Sequence, residues 1–414
     1  MMPPLGSMSE KLRKAHIIAP PDCTGCSLCA NVCGHDAIAM VWSQEGFLLP
    51  QVNEDACISC GVCVKKCPVL QPVPAHQDEL KDSVPTYGAW NRDRAVHLAS
   101  SSGGVFTALA EWTIAEGGCV FGVVWRDKVT AVFTKAETME EVAPMRGSKY
   151  IMADPRGAFR AVRAELRKGR RVLFVGTPCQ VHALKVFLVR PYDGLLTVDI
   201  ICHGVPSRLL WQKYIRETEF RMGGKVSYVS FRDKDESWRR YNLTIHFEDE
   251  TKETCFYGDN IFMSLFLSDV ALNRCCYSCR YSKLPRQGDV TVGDFWGVQN
   301  YHPDWPVREG IAALLVNTPV GEAAMKAVRT EIELREVPFS EVCAGQDLLH
   351  DKGAGRVHPN RAALMSSLGK MSLQAIKERY VGTVLIGPWA VSGVSLLGRL
   401  YARARSWLNK YTVM

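Results

Sequence analysis

Eight of the sixteen cysteines in this 414-residue chain fall between Cys23 and Cys67, in two copies of one spacing. Cys23, Cys26, Cys29 and Cys33 are separated by two, two and three residues. Cys57, Cys60, Cys63 and Cys67 repeat the pattern, with Pro68 following where the first copy has Gly34. Three thiolates two residues apart can wrap one corner of a [4Fe-4S] cubane, while the fourth, on the outgoing helical turn, reaches a second cluster. The spacing therefore assigns Cys23, Cys26, Cys29 and Cys67 to one cluster and Cys57, Cys60, Cys63 and Cys33 to the other. Zinc is the competing use of paired cysteines, but it takes four ligands from two separated pairs rather than three from one tight run. Gly34 in place of a proline is expected to shift one cluster's potential without removing it.

A second group of thiols is spread along the chain. Gly176-Thr177-Pro178-Cys179 follows an apolar run ending at Val175, and Cys202-His203-Gly204 follows one ending at Ile201. If these runs are parallel strands, their C-terminal ends reach one edge of a sheet, where open α/β sheets bind ligands. Cys275-Cys276-Tyr277-Ser278-Cys279 precedes another strand-like run that leads into Asp294-Phe295-Trp296-Gly297. Two thiols from the crevice and two from this loop complete a four-cysteine site. Unconnected buried thiols are the alternative, and that is the preferred reading of Cys119, Cys255 and Cys343.

The elements that must position these residues follow from pattern. Residues 37–42 and 47–51 flank Ser43-Gln44-Glu45-Gly46 as the strands of a hairpin do, and the whole cysteine-rich segment looks like a bacterial two-cluster ferredoxin. A proline- and charge-rich stretch comes next and reads as a linker. Apolar runs then alternate with helical segments. A helix is expected from the Ser100-Ser101-Ser102-Gly103-Gly104 run to Gly117-Gly118, then strands at 119–125 and 130–134. Another helix is expected to open at Asp154-Pro155 and end in the basic run at 168–171. Strand 172–175, helix 180–188 and strand 197–201 form a unit whose length implies parallel pairing. Strands at 226–231 and 243–247 look more antiparallel. The expected fold is an α+β ferredoxin-like two-cluster module followed by an α/β domain with a mixed sheet and a mostly helical C-terminal tail. The expected boundaries are an N-terminal tail at 1–20, the ferredoxin domain at 21–70, a linker at 71–86, two parts of the α/β domain at 87–165 and 166–338, and the tail at 339–414.

Composition narrows the class. An apolar share of 47% is that of a globular protein, and a formal charge of +7 is modest for the size. No stretch interleaves basic and aromatic residues as a nucleic-acid groove does. The N-terminus has no apolar signal-like core, so the cysteines are expected to work as metal ligands and buried thiols in a reducing cytoplasm. Residues 381–398 carry no charge, but four glycines and Pro388 make a poor spanning helix. Packing on the protein's own core is expected there ahead of membrane contact.

Several motifs stand in one order: Ser101-Ser102-Gly103-Gly104, Gly147-Ser148-Lys149-Tyr150, Gly176-Thr177-Pro178-Cys179-Gln180, Cys202-His203-Gly204-Val205-Pro206-Ser207, Phe231-Arg232-Asp233-Lys234 and Gly293-Asp294-Phe295-Trp296-Gly297. In that order, over roughly residues 87–337, the chain resembles the coenzyme F420 hydrogenase/dehydrogenase beta-subunit family, whose members look like FAD enzymes that also hold [4Fe-4S] clusters. The resemblance implies FAD here, and a third cluster on Cys179, Cys202, Cys276 and Cys279, with Cys275 competing for the place of Cys276. It also strengthens a flavin site built from the serine and glycine run 101–104, whose N–H groups at a helix start suit a pyrophosphate, together with Ser148, Lys149, Tyr150, Gly176, Thr177 and Pro178. Lys149 is a candidate to stabilise negative charge on reduced flavin, and His203 to donate a proton or bond a cluster sulfur. The expected function is electron passage between ferredoxin-type clusters and FAD, with hydride exchange to F420 or another small redox substrate and an external ferredoxin or other redox protein as partner. The alternatives are an electron-transfer subunit of a larger hydrogenase or formate dehydrogenase, and a membrane-associated redox enzyme of glycan synthesis.

Overall fold

The computed structural model describes residues 17, 19–71, 83–346, 349 and 356–381. In chain order its strands are β1 (Ile38–Trp42), β2 (Leu48–Val52), β3 (Thr86–Asn91), β4 (Cys119–Asp127), β5 (Thr130–Ala136), β6 (Ala153–Asp154), β7 (Val172–Gly176), β8 (Leu195–Ile200), β9 (Val226–Asp233), β10 (Asn242–Phe247), β11 (Lys252–Phe256), β12 (Val290–Asp294), β13 (Ala312–Val316) and β14 (Ile332–Glu336). Nine of them form a central mixed sheet in the order β14-β3-β13-β12-β8-β7-β4-β5-β6. The middle strands β4, β7, β8 and β12 run parallel, and the outer pairs β4–β5 and β12–β13 are antiparallel. Central strands are covered on both faces, which is why their sequences read as unbroken apolar runs. Val172 and Phe174 enter one core with Phe121, Phe159 and Leu184, while Leu173 enters the other with Val120, Leu109 and Leu314. A separate antiparallel sheet of β9, β10 and β11 packs on the first of these cores.

The expected unit of strand, helix and parallel strand is present as β7, helix Pro178–Leu188 and β8. One expectation needs correction. Asp154 does not cap a helix; it ends β6, and the helix begins at Ala158. Asp154 Oδ1 accepts from Arg156 N at 2.9 Å, and Arg156 sits at φ 44°, so a turn intervenes before helical geometry can start. Helix Arg94–Ala99 was not anticipated. Helices Phe339–Ala344, Arg361–Ser367 and Leu373–Tyr380 make up the described part of the helical tail. Most of the uncharged segment 381–398 lies outside the described residues, among which no helix is long and apolar enough to cross a membrane.

The N-terminal module holds the β1–β2 hairpin with helices Leu28–Val32 and Val62–Lys66. It is tied to the sheet body by charged and backbone bonds. Arg160 donates to the carbonyls of Ala30, Asn31 and Cys33 at 3.0, 2.9 and 2.6 Å, where the first helix ends. Buried Arg361 grips both oxygens of Glu45 in the hairpin turn, at 3.1 and 2.7 Å. Ser207 Oγ donates to Glu45 O at 2.6 Å, and Arg208 N donates to Gly46 O at 3.0 Å.

Candidate functional site

The duplicated cysteine spacing is matched by a duplicated backbone. Gly25 and Ser27 in the first copy, and Ser59 and Gly61 in the second, all have φ between 54° and 69°. Left-handed residues this close together turn successive N–H groups to one side, the geometry that receives anions. The N–H of Gly25 faces the Cys23 sulfur and that of Leu28 faces Cys26, and both favour thiolate. Cys23, Cys26, Cys29 and Cys67 lie close enough for charge on one to act on the others. This is the set that the spacing assigns to one cluster. In the other set, Cys63 feels Cys60, and Cys33 Sγ accepts from Ala37 N at 3.4 Å. Among the described residues, no three His, Cys, Asp or Glu side chains close round a single ion. Burial pushes the Cys23 thiol up to about 12 and raises Cys26 and Cys29 as well. Loading such thiols therefore means displacing their protons.

The second group of thiols converges as the parallel strands require. At the end of β7, Thr177 and Gln180 form a reciprocal capping box, and Pro178 fills the first turn of the helix. Cys179 is thereby fixed in that turn, at the positive end of the helix dipole, with its sulfur 3.1 Å from Thr177 Oγ1. Cys202 lies two residues past β8, and the short helix Arg274–Tyr277 carries Cys275 and Cys276. All five thiols, Cys179, Cys202, Cys275, Cys276 and Cys279, line one cavity of about 100 Å³. Cys275 and Cys276 stand 3.9 Å apart, sulfur to sulfur, so both reach the cavity. Its remaining wall includes Asp22 and Thr24 of the N-terminal module. Burial raises the Cys179 thiol, and charge on Cys279, Cys202 and Cys26 adds to the rise, which places Cys26 of the first module within electrostatic reach of this cavity.

Side chains that the sequence did not single out hold the cavity together. Buried Arg286 donates from Nη1 to the carbonyls of Tyr281 and Ser282, both at 2.9 Å, and from Nη2 to Ile200 O at 3.0 Å. It thus joins the loop after Cys279 to the strand end before Cys202. Arg280 donates to Pro68 O at 2.6 Å, and Asn273 to Cys23 O at 3.1 Å. Position next to Cys275-Cys276-Tyr277-Ser278-Cys279 was the only sequence signal for these residues. His203 is not among the residues that line the cavity: its Nε2 is 2.8 Å from Asp269 Oδ1, and its ring packs edge-on against Phe266.

The serine and glycine motifs meet at the same sheet edge. Ser101 Oγ accepts from Ser148 N at 2.8 Å and lies 3.1 Å from Ser148 Oγ. Gly103 packs against backbone, since a Cβ there would lie 2.0 Å from Ala89 O. Arg232 bonds both carboxylate oxygens of Asp294, at 2.7 and 3.1 Å, and reaches Tyr150 OH and Ser101 O at 3.2 Å each. Burial works against its charge, but the Asp294 carboxylate together with Tyr150 and Tyr241 more than offsets burial, and its pKa is raised. Lys234, in the same motif, donates to the carbonyls of His97, Ser102 and Glu309. Lys149 Nζ is taken up by its own loop, donating to the carbonyls of Pro144, Met145, Arg146 and Gly147. Burial presses its pKa down to about 7, while four carbonyl acceptors favour the ammonium and oppose that fall. Gly176, Thr177 and Pro178 serve the strand end and helix cap described above.

Two family models match the chain. Residues 22–70 match the 4Fe-4S dicluster domain, and residues 169–341 match the C terminus of the coenzyme F420 hydrogenase/dehydrogenase beta subunit. No curated protein matches. Among solved structures, the chain is similar to a chain in a xenon-derivatised F420-reducing [NiFe] hydrogenase complex from Methanosarcina barkeri. Identity is 19%, 71% of this chain and 95% of that chain are covered, and the TM-score is 0.47.

Proposed function

We propose that this chain, in which a 4Fe-4S dicluster domain precedes the C-terminal region of coenzyme F420 hydrogenase/dehydrogenase beta subunits, is an iron–sulfur flavoprotein oxidoreductase. It passes electrons between two N-terminal clusters, a third cluster and FAD, and exchanges hydride with F420 or another organic substrate. The observation that carries this reading is the five-thiol cavity at the C-terminal ends of parallel strands, walled on one side by the N-terminal module.

Cubane clusters pass single electrons and a flavin holds one or two, so together they connect one-electron and hydride chemistry. The chain's own residues hold and position. Cys23, Cys26, Cys29 and Cys67 would hold one cluster and Cys33, Cys57, Cys60 and Cys63 the second. Cys179, Cys202 and Cys279, with Cys276 or Cys275, would hold the third. Among the described residues, the buried guanidinium N–H groups Arg146 Nε and Arg232 Nε have no hydrogen-bond partner. They stand beside the Ser101–Ser148 contact and suit the phosphates of a dinucleotide. Lys149 fixes the loop that presents Ser148 and Tyr150 and keeps a charge near it. His203, packed on Phe266 with its Nε2 beside Asp269, positions the backbone of Cys202.

Anaerobic purification with iron, sulfide and flavin counted per chain tests the reading. The expected result is about twelve irons, from three cubanes, and one flavin that dithionite reduces. Stoichiometric zinc without flavin ends it.

A further inference from the structure

Among the described residues, the N-terminal module turns its first cysteine loop, and not its second, toward the rest of the chain. Around Cys23, Asn273 binds the Cys23 carbonyl, and Asp22 and Thr24 form cavity wall. Gly25 meets the body so tightly that a Cβ would lie 2.0 Å from Met152 Cε. Arg280 covers the turn after Cys67 through the carbonyls of Pro68 and Val69. Buried Tyr281 lines the same cavity and lies within electrostatic reach of both Cys26 and Cys179. The inner thiol set is thus sealed between module and cavity.

The loop of the second copy is the reverse case. The hydrogen bonds described for residues 53–62 stay within the module. Cys60 is exposed, and the apolar side chains on either side of it, Ile58 and Val62, are 62% and 40% exposed. Lys65 and Lys66 follow in the last turn of helix Val62–Lys66 and place positive charge beside the patch, within a chain whose formal charge is +7, while Glu54 and Asp55 bound the loop on its other side. A small apolar patch beside a basic helix end, over a thiol set one step from the surface, matches the brief contacts of redox carriers, which sit at the low end of interface size.

We propose that the loop 57–62 is the docking surface for an acidic one-electron carrier protein, and that the module is polarised, with the set of Cys33, Cys57, Cys60 and Cys63 facing the carrier and the set of Cys23, Cys26, Cys29 and Cys67 facing the cavity. Each encounter would transfer one electron: the reduced carrier is oxidised by one, and the [4Fe-4S] cluster that the outer set would hold is reduced by one. Two encounters supply the pair that leaves as hydride together with one proton. This inference rests on the cluster assignment proposed above.

The test is isothermal titration of the anaerobic full-length holoprotein with an oxidised, acidic bacterial-type two-cluster ferredoxin, at low and high salt. Ile58→Glu is expected to weaken binding about tenfold, as loss of a central apolar contact does. The pair Lys65→Glu and Lys66→Glu is expected to weaken it comparably at low salt and to flatten its salt dependence. Iron content and the paramagnetic spectrum of the reduced protein should be those of the wild type in both variants. Unchanged affinity in iron-replete variants overturns the surface, as does a wild-type holoprotein that binds no acidic ferredoxin at low salt. A wild-type chain without iron ends the cluster assignment instead, so the two failures are distinguishable.

Discussion

Arg286 and Asp199 form a fully enclosed ion pair, Nη2 to Oδ1 at 3.4 Å, directly behind the five-thiol cavity. Asp199 also accepts from Gln287 N at 3.0 Å and Thr291 Oγ1 at 2.5 Å, so its carboxylate is saturated by the strand and loop it joins. The pair fixes the distance between the strand end that leads to Cys202 and the loop that carries Cys279.

Replacing Arg286 by methionine leaves Asp199 charged and buried without its cation, and removal of one partner from such a pair costs about 3–5 kcal/mol. The melting temperature should fall accordingly. Arg286→Lys keeps the charge but reaches only part of the carbonyl set, so the fold should persist while the proposed third cluster is lost. The expected readout is about four fewer irons per chain with the N-terminal signals intact. Full iron content in Arg286→Lys would show that the carbonyl bonds do not position the thiols.

The contact between Glu45 and Arg361 makes a separate prediction about docking of the module. Arg361 is buried and also donates to Leu272 O at 2.7 Å, so it stays fixed when Glu45 is shortened. Glu45 is half exposed, and its loss should cost about 1 kcal/mol. That is roughly a fivefold rise in opening of the contact, seen as faster amide exchange in β1 and β2 of Glu45→Ala. Equal exchange in variant and wild type would assign the docking to Arg160 and the Ser207–Glu45 backbone contact.

Ser101→Val should separate flavin binding from iron binding. The change removes the hydroxyl that accepts from Ser148 N and places a branched side chain against the 147–150 loop. The thiol cavity is built from other segments, so iron should stay constant while flavin per chain falls at least about tenfold in affinity. Loss of both together would mean that the two motifs share one folding unit and that the serine has no separate part in binding.

Much of this was legible in advance where one local rule dominated. The cysteine spacing grouped Cys23, Cys26, Cys29 and Cys67, and these four lie within electrostatic reach of one another, because the pattern sets the backbone turns that carry them. The runs ending at Val175 and Ile201 delivered Cys179 and Cys202 to one cavity, because parallel strands leave no other place for their ends. Residues whose partners are distant in sequence were not legible. Arg286 carries no motif, and its meaning depends on Ile200, 86 positions away. The Arg232–Asp294 bond joins two motifs that could be named but not paired. Asp154 misled because aspartate before proline suits a helix cap and a turn equally well, and the strand pairing of β6 with β5 selected the turn.

The buried thiols also predict how stability responds to pH. Cys23 is pushed up to about 12 by burial, and Cys26 and Cys29 are raised in the same way, whereas an unfolded cysteine titrates near its ordinary value of 9.0. Below that value both states keep their protons, and the metal-free fold has its full stability. As pH rises above it, the unfolded chain releases protons that the fold still holds, so stability falls progressively until the folded thiols titrate as well. In a protein loaded as proposed, the same sulfurs would already be deprotonated and bound, so that above the unfolded value this slope would vanish. Tyr214 and Tyr277, also raised to about 12 by burial, titrate in both forms and cancel in the difference. The gap in melting temperature between loaded and metal-free chain should therefore widen between about pH 8 and about pH 10, as measured by calorimetry under anaerobic conditions. Parallel curves over that range would mean that these thiols are not the groups that iron deprotonates.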